Sequence, residues 1–94
     1  MSEAPVRMRA YASGRVQGVG FRYHVREVAA RFRVTGFVRN LHDGSVEIEA
    51  QGLPDEVERL LAEAGKGPPG SRVTGFQVEP AAAIAGEKTF RITY

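Results

Sequence analysis

Between residues 6 and 12, apolar and polar side chains alternate: Val6, Met8, Ala10 and Ala12 interleave with Arg7, Arg9 and Tyr11. A period of two marks a strand with one buried face. The glycine-rich turn GRVQGVG (residues 14–20) ends that pattern, and the period then changes. Phe21, Val25, Val28, Ala29 and Phe32 recur three or four residues apart and line one stripe of a helix, with Glu27 and Arg31 as a pair on its outer side. Residues 34–40 and 45–51 read as two strands around LHDG, whose Asp43-Gly44 step is a hairpin signal, with Val46, Ile48 and Ala50 facing inward. A second helix is predicted over residues 54–64, with Pro54 suited to its first turn, Val57, Leu60, Leu61 and Ala64 as its stripe, and Gly65 as its stop. The stretch GKGPPGS (65–71) is a loop and residues 73–79 a fourth strand. After an Ala/Gly-rich connection over 80–87, Phe90, Ile92 and Tyr94 alternate in a short last strand.

That order places two helices on one face of an antiparallel sheet, an α+β, ferredoxin-like βαββαβ sandwich with a short extra C-terminal strand. Its 94 residues make one domain, residues 1–94. The fold hosts RNA binders, metal carriers and enzymes alike, so function has to be read from particular residues. Cysteine is absent, which excludes a thiolate nucleophile, a Cys-ligated zinc site and a disulfide framework. No apolar run is long enough for a membrane span or follows the start as a signal peptide would, so a soluble, cytoplasmic chain with no membrane partner is expected. The formal charge of +2 conceals an asymmetry. Residues 1–36 carry seven arginines against two glutamates, a net +5, and the remainder six basic and nine acidic residues, a net −3. Arginine concentrated in one third of a small domain points to an anionic partner with planar, bidentate chemistry, such as phosphate or carboxylate.

The turn between the first strand and first helix is the place to hold it. Gly14, Gly18 and Gly20 admit positive φ and close approach, so the backbone N–H groups of Arg15, Val16, Gln17, Gly18, Val19, Gly20 and Phe21 can converge on one point at a helix N-terminus. Orphan amides and the helix dipole favour an anion there, and Arg22 in the first turn adds a guanidinium fork. The spacing matches neither the Walker loop nor GxGxxG. Taken alone, three such glycines also describe a tight connection and nothing more.

The segment SGRVQGVGFR (13–22), followed by GFVRN (36–40) and DGSVEIEAQG (43–52), resembles the acylphosphatase family. The likeness extends through GPPGSRV (67–73) to the aromatic C-terminus. It implies hydrolysis of acyl phosphates, with Arg22 gripping the phosphate and Asn40, which ends GFVRN, holding the attacking water. Phe37 stands where many relatives have Trp and Gly20 where some have an aromatic residue, changes expected to bear on packing at the pocket rim and not on the chemistry. The implied partners are a small-molecule acyl phosphate and inorganic phosphate, with no cofactor, no metal and a monomeric chain.

The residues read from below agree with that chemistry. An acyl phosphate expels a carboxylate, whose conjugate acid has a pKa near ~4, so its departure needs no general acid. Positioning and charge stabilisation can then supply most of the acceleration. His24 and His42 lack convergent carboxylates and are given no role; Asn40 by itself is a common residue before a hairpin; Glu47/Glu49 and Glu56/Glu58 read as solvated faces. Two rivals remain. One is a non-enzymatic anion- or RNA-binding ferredoxin-like module, supported by the basic first third and weakened because VEIEAQ offers glutamates where an RNA-binding sheet needs exposed aromatics. The other is an accessory domain of a larger enzyme, against which the starting Met is counted.

Overall fold

The computed structural model describes residues 4–94. Its elements run β1 (Val6–Arg15), α1 (Phe21–Ala29), β2 (Val34–Asn40), β3 (Val46–Gly52), α2 (Pro54–Ala64), β4 (Arg72–Pro80) and β5 (Phe90–Ile92). The strands form one sheet in the order β4-β1-β3-β2-β5. Pairing is antiparallel from β4 to β2, and β5 then lies parallel to β2, so the sheet is mixed and not wholly antiparallel as its sequence implied. A strand of three residues carries no signal of direction. Its placement follows from the connection before it, which crosses from the β4 edge to the β2 edge.

Strand alternation sorts residues onto two faces. Ala10, Ala12, Val38, Val46, Ile48 and Ala50 point to the helix side and form one core with Phe21, Val25 and Val28 of α1 and Val57, Leu60 and Leu61 of α2. Burying apolar area at ~25 cal/mol per Å² makes this face the main source of stability. Phe32 packs against the core from beyond the end of α1. Helix α1 stops at Ala29, with Ala30 as its cap, so Arg31 lies outside it and the expected Glu27–Arg31 helical pair is not formed. No helix among the described residues is long and apolar enough to cross a membrane.

The other face is where the sequence reading needs correction. Glu47 and Glu49 are not solvated; they are 5% and 8% exposed. Arg7, equally buried, donates to Glu49 at 2.6 Å and to Glu87 at 2.8 Å, Arg9 to Glu49 at 3.0 Å, and Arg39 to Glu47 at 2.6 Å. The connection over residues 81–89 folds onto this face: Ala81 N–H donates to Arg7 O, and the Gln51 side chain bonds both the N–H and the carbonyl of Ile84. Alternation told which residues share a face, but not that a distant segment covers it. Part of the basic excess in residues 1–36 is thereby consumed internally, by Arg7 and Arg9. Phe37 also lies here, between the guanidinium groups of Arg7 and Arg39 at 5.9 and 5.6 Å, on the face opposite the helices and not at a pocket rim beneath them.

Candidate active site

Strands β1 and β2 both run antiparallel to β3, which lies between them, so they are parallel to each other and finish at the same end of the sheet. The loop leaving β1 and the hairpin leaving β2 are neighbours for that reason. Ala12, Val46 and Asn40 form one row across β1, β3 and β2. Asn40 therefore stands two strand spacings from β1, about 10 Å away, on the helix side with Val46.

Gly14, Gly18 and Gly20 all have positive φ, at 111°, 73° and 79°. At Gly18 and Gly20 this left-handed conformation reverses the chain between β1 and α1 with no side chain to oppose it. Gly20 takes the N-cap position of α1, and no side chain caps the helix. Its first backbone bond is His24 N–H to Gly20 O, at 3.0 Å. The N–H groups of Phe21, Arg22 and Tyr23 thus lie outside the helical ladder, as the first turn of any helix leaves them. The first turn contains no acidic residue. Orphan amides and the positive end of the dipole lie there, and Arg22 is the second residue of that turn.

The named residues are not equivalent. Val16 and Phe21 are each 1% exposed, with their side chains in the core, and Val19 packs against it, so these three can offer a ligand only their backbone. Arg15 is exposed at the end of β1, opposite Arg72 in the β1–β4 pairing. Arg22 is half-buried, and its guanidinium lies 5.3 Å over the ring of Tyr94. The Asn40 Oδ1 atom is buried and accepts no hydrogen bond from the described residues. His24 Nε2 is likewise buried without a partner. No group of three or more His, Asp or Glu among the described residues is placed to hold a metal ion.

Two contacts were not foreseen. The Tyr94 ring over Arg22 depends on the parallel placement of β5. The Gln17 side chain, noted in the sequence only for its backbone, joins the loop to the hairpin: its Nε2 donates to Leu41 O at 2.7 Å and to Ser45 O at 2.9 Å. The only signal for it was a lone glutamine among glycines and valines.

A family model described as acylphosphatase matches residues 8–92. The chain is 51% identical over 83 residues to an acylphosphatase of Bacillus velezensis, covering 88% of this chain and 92% of that one. With an acylphosphatase of Bacillus licheniformis it shares 45% identity over 86 residues, covering 92% and 96%. Among solved structures, acylphosphatase from Bacillus subtilis superposes with a TM-score of 0.89 at 37% identity, over 95% of this chain and 99% of that one. With its fold and nearly its whole length in common with these enzymes, the chain belongs to the acylphosphatase family, hydrolases of acyl phosphates.

Proposed function

We propose that the backbone of residues 15–21 together with Arg22 holds the phosphoryl group of an acyl phosphate, and that Asn40 orients the water that attacks it. The observation that carries this reading is the Asn40 amide oxygen, buried at the sheet end shared with the loop and accepting nothing from the described residues. A buried acceptor left unpaired costs about 1–3 kcal/mol, and a donor arriving with the substrate removes that cost. One O–H of the attacking water donates to Asn40 Oδ1, which turns an oxygen lone pair toward phosphorus. The new P–O bond forms as the P–O bond to the carboxylate breaks. The water's proton passes to a non-bridging phosphate oxygen, and the carboxylate leaves with the electron pair. Arg22 and the first-turn amides stabilise charge on the equatorial oxygens throughout. Both segments come from one chain, which supports a monomer, and the absence of cysteine suits the cytoplasm.

The RNA-binding alternative is the weaker reading. The sheet face that would stack bases carries Glu47 and Glu49 and is crossed by residues 81–89. Phosphate release, measured with a chelator present, separates the two. Rapid turnover of acetyl phosphate and almost none of an alkyl phosphate ester is expected, because an alkoxide leaving group needs an acid that this site does not supply. Equal rates on both would overturn the mechanism, and no turnover of either would favour a binding module.

A further inference from the structure

The two halves of the site lie on separate segments, 18 residues apart where they come nearest in sequence, at Arg22 and Asn40, and covalent geometry does not set the distance between them. In-line attack requires that distance to be held. One side chain spans it. Gln17 stands in the loop between the end of β1 and Gly18, and its Nε2 reaches across the start of β3 to the carbonyls of Leu41 and Ser45, at 2.7 and 2.9 Å. Those carbonyls frame the neck of the hairpin: Leu41 N–H donates to Ser45 O at 2.9 Å, and Gly44 N–H to Leu41 O at 3.2 Å. Leu41 follows Asn40 directly, so the bond to its carbonyl acts one residue from the side chain that would hold the water. Both N–H hydrogens of the glutamine are used on two acceptors, a two-point clamp that a hydroxyl or carboxylate cannot reproduce.

We propose that Gln17 is a positioning residue, setting the phosphate loop and Asn40 at the spacing that in-line attack needs. The proposal rests on the reading of Asn40 given above. It assigns to the Gln17 side chain a role separate from the phosphate contact of its backbone amide, which any residue supplies. Loss of the clamp leaves the loop amides and Arg22 in place, so ground-state binding of phosphate persists. Alignment of the water is lost, and misplacement by about 1 Å costs ~10²-fold in rate.

The test uses Gln17→Met, which keeps length and flexibility but has no donor, and Gln17→Glu, which keeps shape but presents a carboxylate to two carbonyl oxygens. Kinetics on acetyl phosphate, inhibition by inorganic phosphate and the unfolding midpoint are measured for each, alone and with Asn40→Ala. The expected result is a fall in kcat of roughly 10- to 100-fold, with KM and phosphate inhibition within about threefold of wild type. Because Gln17 acts through Asn40, Gln17→Met should cost little further kcat once Asn40→Ala is present. Wild-type kcat in both Gln17 variants, KM and phosphate inhibition worsening in step with kcat, or losses that multiply in the double variant would each overturn the proposal. So would failure of both variants to fold, which makes Gln17 a structural residue. If Asn40→Ala keeps wild-type kcat, the water-holding reading falls and the proposal with it. If Asn40→Ala is impaired while the Gln17 variants are not, only the proposal falls.

Discussion

Arg22 belongs to the first turn of α1, and its guanidinium lies over the ring of Tyr94. Lysine would keep the charge but neither the bidentate fork nor the stacking. Arg22→Lys should therefore weaken competitive inhibition by inorganic phosphate and lower turnover by ~10²-fold or more, the scale set by removing one stabilising donor from an active site. Steady-state kinetics with phosphate as inhibitor check this, and wild-type-like constants would remove Arg22 from the site. Arg22 and Asn40 could be singled out as candidates because each closes a motif of definite spacing. The burial of Glu47 and Glu49 was not legible, since nothing in VEIEAQ reveals that residues 81–89 fold over the face they share with Arg7, Arg9 and Arg39. Gln17 was legible as a loop position but not as a clamp, because its acceptors are backbone carbonyls brought near only by the sheet.

The turn from β1 into α1 takes its shape from backbone conformation, with positive φ at Gly14, Gly18 and Gly20. Gly18 has φ 73°, and a Cβ added there would meet nothing within 4 Å. Gly18→Ala consequently brings backbone strain without a clash, costing about 1–2 kcal/mol for a left-handed non-glycine residue. If the loop relaxes to escape that strain, its amides no longer converge, and phosphate affinity should fall along with stability. Chemical denaturation and phosphate titration by calorimetry on one preparation test the pairing; unchanged values in both would show that the left-handed turn is not needed. The elements themselves were legible where the period was sustained: β2 and α2 fall at 34–40 and 54–64 as their patterns require. The end of α1 was misjudged because Phe32 continues the apolar stripe from outside the helix.

Across the whole molecule, the two sheet faces are built on different physics, and acid should separate them. The helix face is apolar; the opposite face is held by Arg7 between Glu49 and Glu87, with residues 81–89 drawn across it. For Glu49, burial pushes the pKa up, but hydrogen bonds from Arg7 and Arg9 and their charges outweigh it and hold the carboxyl below its ordinary range. Glu87 is depressed in the same way: burial raises it, and bonds from Arg7 and Thr35 with the charges of Arg7 and Arg91 lower it further. A carboxyl whose pKa is lower in the folded chain contributes stability that is fully present above the unfolded value, about 4.3, and is lost as pH falls through the folded value. The unfolding midpoint should thus be steady near neutrality and drop below roughly pH 4.3. Glu49→Gln removes one titrating group, so it should lower the midpoint at pH 7, where Arg7 loses a charged partner, and make the acid limb shallower. Kinetics at pH 7 should be nearly unchanged in the folded variant, because Glu49 lies on the face away from the loop and Asn40. Midpoints from pH 2 to 8 for wild type and variant decide it: parallel acid limbs would mean that this network does not govern acid sensitivity.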